Sequence, residues 1–219
     1  MSLAVVTYAL AATSAILCLT VTLCGLTGLE QLGHSCPCRN HRRGPWATEE
    51  IPVNSGFLLV RLLLGGSLAA HGAQKLFGWF GGHGLSGTGG FMESLGFRPG
   101  KFFALASGLC EAGGGILVIL GFLGPVGPGL IVVSMVVAMG AVHWKNGFFV
   151  TGNGVEMPFA WATCALAVAF AGPGRYSLDA AFGIILSTAW VVRIILVISV
   201  VLALAILMLR RPPAVAQSS

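Results

Sequence analysis

The sequence predicts an all-α fold, a polytopic membrane helix bundle with six spans. First, 56% of the 219 residues are hydrophobic and only 9% are charged, whereas a soluble domain carries about 25% charged residues. Second, apolar segments near the roughly 20 residues that a spanning helix needs recur along the whole chain. Third, the basic residues behind the net charge of +5 stand mostly at the ends of these segments, where they face lipid headgroups and water. This placement excludes a nucleic-acid-binding protein.

The chain divides into spans separated by short polar or Gly/Pro-rich segments. The predicted spans are residues 3–28, 57–80, 102–123, 126–144, 157–172 and 180–209. We interpret the first as a retained membrane helix, because it has no basic n-region and is too long for a signal-peptide core. The fifth is barely long enough to span. Six spans place both termini on one side, and the Lys and Arg residues of the loops slightly favour the cytoplasm for that side.

The second span organises the rest of the chain. Its apolar run contains Arg61, His71 and Lys75, although a charged Arg or Lys at the centre of a bilayer costs about 2.5–3.5 kcal/mol. At about 100° per residue, the three side chains fall within about 80° of one another on a helix. One face of this helix is therefore polar, which predicts that it faces the interior of the bundle.

Small residues form a second stripe on the same helix. Gly65, Ala69 and Ala73 recur at four-residue spacing. Such a stripe lets a neighbouring helix approach closely. The sequence therefore predicts tight packing of another helix along this span.

Four ionisable residues on three predicted spans fall in the same half of the membrane: His71, Lys75, Glu111 and His143. The helical rise places His71 about 9 Å from the end of its span and Glu111 about 13–14 Å into the next one. We predict that Glu111 contacts Arg61, His71 or Lys75. The cluster is either a functional site or a structural plug that neutralises basic groups, and the two interpretations are compatible.

A quinone headgroup matches this cluster best. Its carbonyl oxygens require donors such as His71 or Lys75, and a nearby carboxylate can relay a proton. The candidate quinone-binding set consists of His71, Lys75, Glu111, His143 and Arg61. A b-type haem between His71 and His143 is the weaker interpretation, because His143 is predicted nearer the surface and neither helix carries a second histidine.

A polar loop at residues 30–54 contains the other chemically distinctive pattern. His34, Cys36, Cys38 and His41 could supply the four ligands of a zinc site, although their spacing is a weak metal signal. The alternatives are a redox-active thiol pair, whose thiolates basic neighbours favour, and a plain surface loop.

Arg193 interrupts the sixth predicted span near its middle. A residue at that depth cannot easily extend its charge to the surface. We therefore predict that Arg193 points away from lipid. Its partner would be either helix carbonyls of its own bundle or an acidic group, lipid phosphate or cofactor held by a partner subunit.

Three segments together resemble the DoxX family of bacterial integral membrane proteins. Residues 61–97 contain an Arg entering the helix, then His-Gly-x-x-Lys-Leu, then a Gly-rich stretch that ends in Leu-Gly-Phe. Residues 104–123 carry the acidic Glu111, and residues 139–149 carry His143. The resemblance covers about residues 55–172 and implies a four-helix membrane core there. Residues 1–54 and 173–219 then each add one transmembrane helix.

The resemblance also implies a function. It indicates an accessory or small subunit of a respiratory-type redox complex in the bacterial cytoplasmic (inner) membrane, with a quinone as the expected cofactor and other subunits as partners. The alternative is a non-catalytic anchor or assembly scaffold for a larger complex. Fold alone does not establish catalysis, so the resemblance leaves open whether this chain is itself an enzyme.

Overall fold

The computed structural model describes residues 53–211. The predicted first span at residues 3–28 lies outside this range, as does the candidate metal set of His34, Cys36, Cys38 and His41. The described residues form helices joined by turns, with no β-strand among them. The helices are α1 Val53–Phe77, α2 Gly84–Ser94, α3 Gly100–Leu120, α4 Val126–Ala138, α5 Glu156–Ala171, α6 Leu178–Phe182 and α7 Ala189–Met208.

Four helical segments are long and apolar enough to cross a membrane: Asn54–Phe77, Gly100–Leu120, Val126–Asn146 and Ala189–Met208. The third of these is α4 extended by a π-helical turn and a 3₁₀ turn. Helix α5 has 16 residues and reaches about 24 Å, less than the roughly 30 Å of the hydrocarbon core. The chain is therefore a multi-pass membrane protein, but the described residues do not confirm the count of six spans.

The sixth predicted span is not one continuous helix. Helix α6 stops at Gly183, whose φ of 68° is the left-handed conformation that commonly ends helices. Residues 184–188 are not helical, and α7 begins at Ala189. Arg193 consequently lies only about 6 Å along the axis from the start of α7. The prediction that Arg193 lies near the middle of its span is wrong.

The Gly-rich segment at residues 78–101 is also more ordered than its composition predicts. A 3₁₀ turn at Trp79–Gly81 is followed by the 11-residue helix α2. Helix α2 packs against α3, and the buried Gly89 of α2 lies against Lys101 in the first turn of α3. Close packing with α3 therefore outweighs the low intrinsic helix propensity of glycine.

Helices α1 and α3 are in close contact along their length. A Cβ atom added to Gly65 would lie 2.5 Å from the carbonyl oxygen of Gly115, and one added to Gly115 would lie 2.7 Å from the nitrogen of Ala69. The predicted small-residue stripe is thus confirmed at Gly65 and Ala69. Further along, Gly72 rather than Ala73 faces α3, where it meets Ala112.

Helix α4 lies at the centre of the bundle and packs against α3, α5 and α7. Its residues Ile131 and Met135 are almost fully buried. They join a core that includes Leu68 of α1, Ala165 of α5 and Leu196 of α7. The polar face of α1 lies against α3, through Lys75 and Glu111, and against α5, through His71 and Trp161.

Candidate functional site

An ion pair joins α1 to α3 inside the bundle. Lys75 Nζ lies 2.5 Å from Glu111 Oε1 and also donates to Ser107 Oγ at 3.0 Å. From α4, the Ser134 hydroxyl donates to the same Glu111 oxygen at 2.7 Å. Only 2% of Glu111 is exposed, because three helices converge on it. The prediction that Glu111 contacts a basic residue of the organising helix is confirmed.

A cavity of about 350 Å³ adjoins this ion pair. Its size is in the range of small-molecule sites, about 300–1,000 Å³. We call it the Glu111 cavity. Its lining residues are His71, Gln74, Lys75, Glu111, Met135, Ala138, His143, Val150, Asn153, Gly154, Met157, Pro158 and Trp161. The structure therefore brings together four of the five residues of the candidate set, namely His71, Lys75, Glu111 and His143.

Arg61, the fifth member, does not line the Glu111 cavity. It lies towards the other end of α1, where its guanidinium donates to the carbonyl oxygens of Val118 at 2.8 Å and Ile119 at 2.7 Å in the last turn of α3. The same group donates to Pro173 at 2.6 Å and Tyr176 at 2.7 Å in the α5–α6 connection. These carbonyls include the negative end of the α3 dipole. Arg61 therefore links α1 to the end of α3 and to the α5–α6 connection. The candidate quinone-binding set is corrected accordingly, because Arg61 does not lie at the cavity with its other four members.

Trp161 of α5 is a wall of the cavity that the sequence analysis missed. Its ring meets the ring of His71 edge-on, with centroids 4.8 Å apart and planes at 65°. A tryptophan inside an apolar segment combines a large apolar body with one N–H donor that needs a partner when buried. The indole N–H was the only sequence feature that could have marked Trp161 as a site residue. The sequence does not show whether Trp161 faces the cavity, because it does not reveal how α5 is rotated about its axis.

Two buried polar atoms of the cavity residues have no hydrogen-bond partner within residues 53–211: Glu111 Oε2 and Trp161 Nε1. Trp161 is only 9% exposed and Glu111 is less exposed still. An unpaired buried donor or acceptor costs about 1–3 kcal/mol. Both atoms gain stability from any ligand that supplies the missing partner.

The mouth of the cavity is built by the end of α4 and the following loop. A π-helical turn at Met139–His143 widens the helix, a feature that is frequent at functional sites. His143 Nδ1 forms a hydrogen bond with the carbonyl oxygen of Asn153 at 2.7 Å. The Glu156 carboxylate accepts a hydrogen bond from the Val150 amide at 2.7 Å. These bonds hold the loop in place beside the end of α4, and Val150 and Asn153 are part of the cavity lining.

The described residues contain no group of three or more His, Cys, Asp or Glu side chains placed to hold a metal ion. The site in this part of the chain is therefore defined by an ion pair, two histidines and a tryptophan.

Comparison with known protein families identifies the core of the chain. Residues 56–144 match the model of the DoxX family. The chain contains a DoxX domain. The predicted resemblance is thereby confirmed for residues 56–144, a shorter stretch than the predicted residues 55–172, and the matched residues include His71, Lys75, Glu111 and His143. Trp161, which completes the cavity, lies beyond the matched residues. Comparisons with curated proteins and with solved structures found no significant match.

Proposed function

We propose that this chain is a small or accessory subunit of a respiratory-type redox complex in the bacterial cytoplasmic membrane, and that the Glu111 cavity binds a quinone headgroup. The observation that carries the proposal is a buried acid, paired with Lys75, that leaves one oxygen unpartnered beside a cavity inside a membrane bundle. An ionisable residue at membrane depth is costly, which makes a functional role the default hypothesis. The DoxX domain supports the membrane setting.

The residues of the cavity fit such a headgroup. A quinone ring is flat and apolar on its faces and carries oxygen atoms at its edge. Met135, Met157 and Pro158 supply apolar surface for the ring faces. Trp161 Nε1 is a buried donor without a partner among the described residues, and it can pair with an edge oxygen. His71 adds a second nitrogen-bearing side chain to the same wall.

When bound, a quinone supplies proton-coupled, two-electron redox chemistry. Lys75 and Ser134 hold the Glu111 carboxylate through Oε1, which leaves Oε2 free to accept and hold a proton. His143 lines the cavity, is partly exposed, and is predicted from the sequence to lie nearer the membrane surface than Glu111. It is therefore placed to exchange protons between water and the interior of the cavity.

Extraction of the protein purified in a mild detergent tests this proposal. We expect the wild type to retain a quinone in near-stoichiometric amount. Glu111→Gln and His71→Ala should each reduce retention about tenfold, because each removes a polar contact at a buried site. Glu93→Gln is the matched control, since Glu93 lies on α2 outside the cavity and accepts a hydrogen bond from the Gly100 amide. Folded wild-type protein that neither retains nor rebinds a quinone would refute quinone binding.

One observation favours a second candidate function, a non-catalytic anchor or assembly scaffold. Arg193 is exposed on α7, and its side chain makes no hydrogen bond or ion pair with any described residue. The face around it is apolar, and Ile194, Val197 and Ile198 are all largely exposed. An acidic group of a partner subunit could pair with Arg193 there, although its position near the helix start also lets it extend to the lipid headgroups.

Co-purification separates the two functions. If α7 anchors a partner, Arg193→Leu should reduce the amount of a large enzyme that co-purifies, while the isolated chain stays folded. Arg175→Leu is the control, because Arg175 is also exposed but lies in the loop before α6. A large co-purifying enzyme without bound quinone would favour the scaffold. If Arg193→Leu unfolds the isolated chain, Arg193 belongs to the internal core and the anchoring role loses its support.

A further inference from the structure

A crevice lies between helices α3 and α7. Both helices pack against α4 and make little contact with each other, so α4 forms the floor of the gap between them. The space inside is about 50 Å³, with Phe103 of α3 and Ile206 of α7 on its two sides and Val133 and Val137 of α4 below. Phe103, Val137 and Ile206 are partly exposed, so the crevice opens towards lipid. It shares no lining residue with the Glu111 cavity.

The crevice presents a mostly apolar surface. Its two hydroxyl groups are engaged with the neighbouring ion pair, since Ser107 accepts a hydrogen bond from Lys75 at 3.0 Å and Ser134 donates one to Glu111 at 2.7 Å. Cys110, which also lines the crevice, behaves as a small apolar residue. A hydrocarbon chain matches this surface, and the volume admits a short part of one.

An arginine side chain joins the two sides of the crevice at the membrane surface. Arg210 lies just beyond the end of α7, one helical turn after Ile206. Its Nε donates to the carbonyl oxygen of Leu95 at 2.6 Å, in the turn between α2 and α3. Phe97, two residues further along that turn, also lines the crevice. The Arg210 guanidinium is therefore held at the surface end of the crevice.

Two more arginines lie at the same place. The amide of Arg211 donates to the carbonyl oxygen of Gly96 at 2.9 Å, which fixes the backbone of Arg211 against the α2–α3 turn. Arg98 lies two residues after Gly96 in that turn and directly follows Phe97. Both side chains are exposed. The turn and the end of α7 thus bring three guanidinium groups together beside the crevice.

These three arginines have no acidic partner among residues 53–211. The ion pair found in that range joins Lys75 to Glu111. The terminal guanidinium nitrogens of the three arginines make no hydrogen bond with any described residue. Glu93 is the acid nearest to Arg98 in the sequence, and its carboxylate accepts a hydrogen bond from the Gly100 amide at 3.1 Å. The cluster therefore offers unpaired planar donor forks, which match the oxygen atoms of a phosphate.

We propose that the crevice and the three arginines bind one molecule of an anionic phospholipid. Its phosphodiester pairs with Arg98, Arg210 and Arg211, and part of one acyl chain lies between α3 and α7. Basic pockets between transmembrane helices are suited to anionic lipid headgroups. A zwitterionic lipid fits less well, because its headgroup brings a second cation beside the arginines. The site is independent of the proposed quinone binding.

Native mass spectrometry of the full chain in a mild detergent tests this proposal. Phosphatidylglycerol and phosphatidylcholine with the same palmitoyl and oleoyl chains are titrated separately, and the dissociation constant of the first bound lipid is measured. We expect phosphatidylglycerol to bind at least about tenfold more tightly, since each arginine near a membrane surface contributes about fivefold to the attraction of an anionic lipid. Equal affinities for the two lipids would refute the proposal without any variant.

A matched pair of charge variants locates the headgroup. Arg210→Gln should lower the preference for phosphatidylglycerol about fivefold. Lys101→Gln is the control, because Lys101 is exposed at the same membrane surface. At about 100° per residue, however, it points to the opposite side of α3 from Phe103 and Cys110. If Lys101→Gln lowers the preference as much as Arg210→Gln, the lipid responds to overall surface charge and the arginine site is refuted.

A second pair of variants tests the acyl chain. Ala106→Phe fills the crevice that Ala106 lines, so both lipids should bind more weakly while the ratio of their affinities stays the same. Leu105→Phe, at a position that is 41% exposed on the same helix, should change neither affinity. Unchanged affinities in a folded Ala106→Phe protein would overturn the placement of the chain. Binding of inorganic phosphate that depends on Arg210, without any preference for phosphatidylglycerol, would assign the arginines to soluble phosphates and overturn the lipid assignment.

Discussion

Two polar clusters lie at opposite ends of the α1–α3 helix pair, and they differ in how completely the protein satisfies them. The Arg61 guanidinium donates to four carbonyl oxygens, at 2.6 to 2.8 Å. Glu111 is equally buried and lines a cavity, but one of its oxygens has no partner among the described residues. A buried charge alone therefore does not identify a site in a membrane protein. A buried charge that lacks some of its hydrogen-bond partners and lies in the lining of a cavity is a better indication of a site.

A second buried charge, Asp179, helps to hold the same end of the bundle together. Asp179 accepts hydrogen bonds from the amides of Leu123 at 2.9 Å and Gly124 at 2.6 Å, which lie just after α3. Its own amide donates to the carbonyl of Gly121 at 3.1 Å. Together, Arg61 and Asp179 fasten α1, the end of α3 and α6 to one another. We expect substitutions here to affect stability and substitutions at the Glu111 cavity to affect ligand binding.

The largest effect is expected from Arg61→Met. It leaves four carbonyl oxygens without their buried donor and Asp179 without its opposite charge, so the free energy of unfolding should fall by about 3–5 kcal/mol. Thermal unfolding in mild detergent measures the loss. Arg61→Lys should fall between the wild type and Arg61→Met, because an ammonium cannot reproduce the planar donor fork. If Arg61→Met is as stable as the wild type, the Arg61 hydrogen bonds do not stabilise the fold, and the proposed difference between the Arg61 cluster and the Glu111 cavity is wrong.

Asp179→Asn should have the next largest effect. The asparagine keeps one acceptor oxygen but places an amide NH₂ where the carboxylate accepts from a backbone N–H. We expect a loss of about 1–3 kcal/mol in the same unfolding measurement. Quinone retention should be normal in the protein that remains folded. An Asp179→Asn protein as stable as Glu93→Gln would contradict the prediction.

Glu111→Gln should lower stability by only about 1 kcal/mol, because glutamine keeps an oxygen that Lys75 and Ser134 can still donate to. The loss of quinone retention should be much larger than this change suggests. Unfolding and retention are measured on the same preparation. A stability loss as large as that of Arg61→Met, with retention unchanged in the folded fraction, would show that Glu111 is a structural plug.

The smallest effect is expected from Ser134→Ala. It removes one hydrogen bond from Glu111 Oε1 while Lys75 stays in place, so we expect a loss of about 0.5 kcal/mol. Ser199→Ala is a matched control, since that buried serine donates only to Ile195 one turn earlier in α7. The two variants should differ in quinone retention, with only Ser134→Ala lowering it. Equal retention would show that Ser134 does not help to position Glu111.

Particular residues show how far the sequence could predict this structure. That Glu111 contacts a basic residue of α1 followed from the cost of an unpaired charge in a membrane, and the structure shows that this residue is Lys75. The contact of α3 with Gly65 and Ala69 followed from side-chain size. Helix α2 was missed because its glycines favour a loop until α3 packs against them. The break at Gly183 was missed because apolar side chains continue on both sides of it.

By itself, the sequence predicted a multi-pass membrane protein that resembles the DoxX family, and the apolar helices and the family match support this. It also predicted that His71, Lys75, Glu111 and His143 share one half of the membrane, and the structure places all four around one cavity. Depth follows from the fixed rise of a helix, so counting residues is enough. Only the tertiary structure decided that Arg61 links α1 to the end of α3, that Trp161 completes the cavity and that one Glu111 oxygen has no hydrogen-bond partner among the described residues. Arg61 is satisfied by main-chain carbonyls, which every residue carries, and the rotation of α5 depends on packing with its neighbours. Neither has a signature in the sequence.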